Sequence, residues 1–568
     1  MKHFSHQLSQ KQDIERRLSQ LLNPVSHVGF PPRQMLDRVI ISSVSAPGSR
    51  SASRDREPKE CFLFSKSMDM GHDRTAFFNA RPSIDLDLES RDGSFDLEAM
   101  MRDEEGLIPG SHVNKRSRSL FSCLEESPII QTLLSYPAPD SLKIKPTSWL
   151  DGVRGIAALE VYVFHTISCW HTIFPAWHAE PDQTNILQLP ALRTFFDSGG
   201  ASVCVFFVLS GYVLTYRSLR WIRAGSRQLV YPSVASSMFR RGFRLYLPPI
   251  LLTFCEMIAT RFGYAPPLNF TFLAESTAWA QFLDWIKETN YLVNPFYNFN
   301  TAIQGFVIHP KYDPVIWTIP LEFYGSFIVY FLLLLLARVP SNATRMVLVA
   351  IFAAVCMYLG AWNGFCFSTG MLLADFNLAQ EDNGASPLST QRWQCAVLWK
   401  ILFAVAFYIA GFPTLSYPEA HVLPMVGYET LRSSIPMTLN MEDHSRFWWS
   451  ISGLTMLLCT SQLPSFKSFF ETNICQYLGK IAFSLYLVHQ FCVMLFGFVM
   501  QRFLLGLFGL VQNQGGFWYW LVCVIWYVPF TTVVFAIAAQ VERLVDAPSV
   551  RFAKWLEERC LAIYKDLS

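Results

Sequence analysis

The chain has 568 residues, of which 51% are hydrophobic, 15% aromatic and only 16% charged, against roughly 25% charged in an ordinary soluble protein. Its formal net charge of +2 gives no reason to expect a nucleic-acid partner, and its thirteen scattered cysteines show no CxxC pair or other metal-ligand spacing. They read as reduced packing residues, with neither a metal site nor a disulfide framework. Composition and long apolar runs exclude an ordinary soluble enzyme and favour an all-α, polytopic membrane helix bundle.

In chain order, residues 1–145 come first. They open with "MKHFSHQLSQKQDIERRL", which lacks the apolar core of a signal peptide, so targeting falls to the first membrane helix. An acidic run, "IDLDLESRDGSFDLEAMMRDEE", precedes a basic "NKRSRS". Such a segment buries too little apolar surface to offset chain entropy, which predicts a disordered cytosolic tail. A plain solvated extension and a regulatory, phosphorylated one are both consistent with it.

A membrane pass needs about 20 mostly apolar residues. Runs of that kind lie at 153–173, 200–216, 244–262, 316–337, 344–361, 364–378, 396–414, 447–463, 478–503 and 517–540. That makes about ten passes, or nine without the short run at 364–378. Between the second and third, residues 217–244 carry Arg217, Arg220, Arg223, Arg227, Arg240, Arg241 and Arg244 and no acidic residue. The positive-inside rule puts this stretch in the cytosol and both termini with it. The sequon at Asn269 then faces the lumen or exterior as a glycosylation candidate, while that at Asn342 faces the cytosol and carries no glycan. The final segment, 551–568, is read as a short cytosolic helix lying against the inner membrane surface.

Ionisable groups inside such spans are costly and mark cavities or helix contacts. Arg154 and His165 are eleven residues apart, about 16 Å along a helix and on one face of it. Glu322 stands about two turns into its span, and His489 stands about 16 Å into another, with Tyr486 just before it. His165, Glu322 and His489 are expected at similar depth, where a carboxylate beside an imidazole would hold the ring's tautomer. The structural alternative is that a buried His is interhelical glue, worth about 0.6 kcal/mol on average.

Six stretches resemble, in order, the motifs of the membrane-bound acyltransferase family 3. "LDGVRGIAALEVYVFH" is similar to its opening Arg, ten residues, then His. "CVFFVLSGYVLT", "RRGFRLYLPP", "IWTIPLEFYGSFIVYF", "GKIAFSLYLVH" and "VERLVDAP" follow, so the resemblance spans about 146–550. "GVRG" for the commoner "GLRG" and "IPLEF" for an "SVEF"-like run are the departures, and neither removes a functional group. The resemblance implies transfer of an acyl group, commonly acetyl from acetyl-CoA, to a hydroxyl of a sugar or small molecule, with acyl-CoA as co-substrate and no permanently bound cofactor. It makes His165 the catalytic base, Glu322 a helper at the reaction centre, and Arg154, Arg241 and Arg244 candidates for the donor's phosphates. Tyr486 and His489 match a motif of less settled role, taken as substrate-binding.

These assignments explain a titratable ring inside an oily helix. A neutral imidazole takes the proton of an alcohol as it attacks a thioester, an effect of about 10²–10⁴ in rate. Guanidinium groups at the cytosolic mouth suit a polyanionic donor. An acyl-His intermediate is a less favoured route. A transporter or flippase, with His and Glu as a proton relay, is the reading from another class, although no internal repeat supports it. Sequon usage and the serine-rich extension point to a eukaryotic endomembrane. The acceptor, whether secondary metabolite, sterol, polyketide alcohol or glycan, is not written in the sequence, nor is the oligomeric state.

Overall fold

A computed structural model describes residue 136 and residues 144–567, apart from 172–174, 180–184, 265–273, 298–300, 302–304, 306–309, 385–392, 417–421, 437–438, 440 and 442. The disorder expected of residues 1–145 therefore falls almost wholly outside the described residues, as does Asn269. Among the described residues the regular structure is helical, with no strand.

The longer helices are α1 (Ser148–Ile167), α2 (Gly199–Arg223), α3 (Val230–Thr260), α4 (Ala278–Val293), α5 (Thr318–Leu336), α6 (Asn342–Tyr358), α7 (Trp362–Asp382), α8 (Trp393–Ala410), α9 (Ser445–Gln462), α10 (Asn473–Cys492), α11 (Phe498–Phe508), α12 (Phe517–Val541) and α13 (Ala547–Leu567). Each apolar run falls on one of them or, for 478–503, on α10 and α11 together. By length and hydropathy alone, five stretches among the described residues are fit to cross a bilayer: 199–223, 227–260, 314–336, 473–508 and 517–564. The helices at 342–358 and 394–410 are apolar but shorter.

Contacts at the helix ends show how α2, α5, α6, α7 and α9 run. At one end Asp375, late in α7, receives Arg345 from the first turn of α6 and Arg223 from the last turn of α2. At the other, the guanidinium of Arg446, in the first turn of α9, lies 4.7 Å from the ring centre of Trp362, 4.9 Å from Trp317 and 5.1 Å from Trp449. These indoles belong to the starts of α7, α5 and α9.

Glycines set two close crossings. A Cβ on Gly211 of α2 would overlap the carbonyl of Phe367, and one on Gly370 of α7 would overlap that of Val208. Likewise a Cβ on Gly155 of α1 would overlap the backbone at Gly479 of α10, and one on Gly479 that of Asp151. Lipid tails are as apolar as leucine, so close backbone approach, with its dispersion contacts, is what holds such helices together.

Two expectations need correction. The basic stretch 217–244 is no loop: α2 runs to Arg223 and α3 starts at Val230, so Arg217, Arg220 and Arg223 ride on the end of α2 and Arg240, Arg241 and Arg244 on α3 itself. The run at 364–378 is the middle of a 21-residue helix, α7, whose Asn363, Ser368, Thr369, Asp375 and Asn377 are buried. Its low hydropathy comes from polar groups that meet protein and not lipid.

Candidate active site

The site grows from the α1–α10 crossing. These two helices run parallel, their backbones touching at Gly155 and Gly479. Arg154 fixes the register by donating from Nη2 to the carbonyl of Gly479 at 2.8 Å. His165 and His489 each stand ten residues beyond their crossing glycine, about 15 Å along either axis. Equal steps on parallel helices bring the rings together, with centroids 5.1 Å apart.

His489 is fully buried and its Nδ1 lies 3.0 Å from the carbonyl of Leu485. That carbonyl is an acceptor, so Nδ1 carries the hydrogen and Nε2 keeps its lone pair. Nε2 is buried with no hydrogen-bond partner. The His165 ring is partly accessible, packs against Phe164 at 4.9 Å, and has no hydrogen bond to either nitrogen among the described residues. It stands in the last turn of α1, nearer that helix's end than the expected span of 153–173 implied. Directly after α10 the chain makes a π turn, Val493–Gly497, before continuing as α11. Such turns interrupt helices most often at functional sites.

Tyr486, one turn below His489, has its ring centre 6.3 Å from the His489 ring. Its hydroxyl bonds Thr318 Oγ1 at 2.7 Å and also donates to the carbonyl of Val315. Thr318 opens α5, and Glu322 lies one turn further along it. The carboxylate of Glu322 is taken up elsewhere: Oε1 accepts from Arg241 Nη2 at 2.9 Å and from Ser210 Oγ at 3.2 Å. Arg241 Nε also donates to Ser326 at 2.5 Å. The structure thus joins His165, His489 and Tyr486 in one row and pairs Glu322 with Arg241.

At the opposite end of α1, Arg154 also bonds Asp151 at 3.0 Å and is about a third exposed. Asp546 lies in the field of Arg244, Arg154 and Lys480, while Lys480 Nζ stands 3.4 Å from Glu542. Arg154 and Arg244 thus both act on Asp546, and Arg241, on the same helix as Arg244, turns to Glu322. Sequence reasoning did not reach Lys480, Glu542, Asp546, Ser210 or Thr318. Lys480 adjoins the crossing glycine, and Glu542 and Asp546 sit in "VERLVDAP"; that proximity to motif residues was the available signal. An apolar groove is lined by Val533, Ile537, Val541 and Leu544, on α12 and the turn that follows it.

The sequence model of the acyltransferase 3 family, described as "Acyltransferase domain", matches residues 147–538. The chain is 28% identical over 455 residues to the O-acetyltransferase PaAT-1 of Phomopsis amygdali, covering 76% of this chain and 89% of that one. It is 23% identical over 408 residues to the acyltransferase R4 of a Phoma species (62% of this chain, 83% of that one), and 22% identical over 417 residues to the acyltransferase clz18 of Cochliobolus lunatus (64% and 86%). No solved structure matches it significantly. With the family match covering most of its length and several apolar helices long enough to cross a bilayer, the chain belongs to the acyltransferase 3 family and is a multi-pass membrane acyltransferase.

Proposed function

We propose that this acyltransferase moves an acyl group, acetyl foremost, from acyl-CoA to a hydroxyl of a small molecule such as a secondary metabolite or sugar, with His165 as general base. The observation that carries the reading is the pair of rings 5.1 Å apart, one accessible and without hydrogen bonds, the other locked by Leu485. The relative named an O-acetyltransferase supports transfer to oxygen and an acetyl donor.

In this mechanism His165 accepts the acceptor's hydroxyl proton as the oxygen attacks the thioester carbonyl. The C–S bond breaks, the new ester leaves, and the imidazolium returns the proton to the coenzyme thiolate, so no net proton is consumed. His489 and Tyr486 line the acceptor's approach. Glu322, clamped by Arg241 and Ser210, sets the electrostatics of the α3–α5 side. Arg154, Arg241 and Arg244 serve the donor's phosphates. In this reading the chain makes ten crossings, with the Arg154 end and both termini cytosolic, in a eukaryotic endomembrane. The donor then comes from the inner side, its arm lying along α1 toward His165.

The test is coenzyme release from acetyl-CoA by membranes carrying wild type or His165→Ala, with extracts of hydroxylated metabolites as acceptors. Loss of about 10²–10⁴-fold in the variant, with unchanged membrane insertion, is expected. Full activity in His165→Ala would falsify the assignment. Solute uptake into vesicles with no coenzyme release would favour a transporter.

A further inference from the structure

Helix α12 does not end at Val541. It passes through a π turn, Glu542–Asp546, and continues as α13 to Leu567. A π turn is wider than an α turn, so Glu542 and Asp546 come nearly in line on one face. That face meets the Arg154 end of α1 and α10, where Lys480 pairs with Glu542 and where Asp546 feels Arg244, Arg154 and Lys480 together. Three cations, from α1, α3 and α10, are thus gathered by the turn of a fourth helix.

Resting on the reading of acyl-CoA as donor, we infer that Lys480 is a further phosphate-binding residue, and that Asp546 holds the empty phosphate site with a counter-charge which the donor displaces. Three observations support this. First, the cations already face carboxylates: Asp151, Glu542 and Asp546 stand against Arg154, Arg244 and Lys480. A polyanion enters such a cluster only by taking cations from carboxylates. Second, the hydrogen bonding is incomplete where that exchange would occur. Arg154 Nε and Asp546 Oδ1 are both buried with no hydrogen-bond partner. Buried polar groups are normally satisfied, and here a donor and an acceptor at one cluster both have capacity left for a ligand. Third, Lys480 is covalently next to Gly479, whose carbonyl holds Arg154. The two cations therefore move as one unit with the α1–α10 crossing that also positions His165.

The ligand chemistry implied is a pyrophosphate or a phosphorylated nucleoside on a long thioester arm. Lysine suits it as a mobile point charge and arginine as a bidentate fork.

Equilibrium binding to the purified full-length protein tests the inference, with two labelled probes: acetyl-CoA, and acetyl-pantetheine, which keeps the thioester arm but has no phosphate. Lys480→Gln should weaken acetyl-CoA binding about tenfold and flatten its salt dependence, while acetyl-pantetheine binding stays within about twofold. Lys480→Arg should restore acetyl-CoA affinity, which separates loss of charge from misfolding. Asp546→Asn should tighten acetyl-CoA by about threefold or more and leave acetyl-pantetheine unmoved. If Lys480→Gln shifts both probes alike or neither, or if Asp546→Asn weakens both, the cluster is a structural ion pair and the inference is overturned. If wild type binds no acetyl-CoA at all, the donor reading itself falls, and this inference with it.

Discussion

Two ion-pair clusters sit at the same end of the bundle and differ in how tightly they are bonded. Around Asp375 the bonding is dense. Arg345 is fully buried and bidentate, at 2.8 Å to each carboxylate oxygen, and Arg223 adds a 2.6 Å bond to Asp375 and another to Asp382. Around Asp546 the contacts are longer, Arg154 is a third exposed, and buried atoms stand without partners. The first has the bonding of a rivet between α2, α6 and α7. The second has the bonding of a site waiting for charge. What distinguishes them is the shortness of the contacts and the burial of the arginines, since both are rich in arginine and each holds a buried atom without a partner, Arg345 Nη1 in the first.

The rivet should give the strongest response. Removing one partner of a buried pair leaves an uncompensated charge, which costs about 3–5 kcal/mol. Arg345→Ala should therefore lower the Tm of the detergent-extracted protein sharply, or its yield. Arg154→Ala should leave Tm close to wild type and weaken acetyl-CoA binding. If the thermal effects are equal, or reversed, the distinction drawn between the clusters is wrong.

The two glycine crossings extend the same contrast. Adding a methyl at either crossing forces backbones apart, with an expected loss of about 1–3 kcal/mol. Gly211→Ala, at α2–α7, should reduce stability and leave turnover per folded molecule near wild type. Gly479→Ala, at α1–α10, should reduce turnover beyond its effect on Tm, because it disturbs the register that brings His165 to His489. Equal turnover in the two variants would show that the ring pair does not depend on that register.

Tyr486→Phe is expected to act next in size. It removes a buried hydroxyl from Thr318 and from the carbonyl of Val315, a loss of about 1–3 kcal/mol where a buried acceptor is left unpaired. If Tyr486 lines the acceptor's approach, activity should fall with acceptor KM rising and donor binding unmoved. A change confined to Tm would reduce it to a brace between α5 and α10.

Helix class and the rough positions of the helices were legible in the sequence, because an apolar run as long as a bilayer is thick seldom occurs outside one. The approach of the two histidines was partly legible, since equal spacing from a helix start sets equal depth. The partner of Glu322 was not. Which helices are neighbours is decided by crossings such as Gly155 on Gly479, and no local pattern announces them. Asp546 was hidden for a different reason: a π turn shifts side chains off the α period that any reading of periodicity assumes. The α7 helix was underestimated because buried polar side chains lower its hydropathy just as exposed ones would.

A much weaker response is expected from the arginines that neither cluster uses. Arg217, on α2, lies with its guanidinium 4.7 Å over the ring of Trp221. A cation–π contact at a partly exposed site is worth about 0.5–1 kcal/mol. Arg217→Ala should thus shift Tm slightly, and donor binding and turnover should stay at wild-type values. Topology should hold as well, because Arg220, Arg223, Arg227, Arg240, Arg241 and Arg244 remain on the same side of the bundle. Charge at this end would then divide by contact: the arginines held tightly on Asp375 join helices, those near Asp546 receive the donor, and Arg217 only orients the chain. A large fall in acetyl-CoA binding in Arg217→Ala would mean that the donor's contact extends along α2, beyond the three-cation cluster.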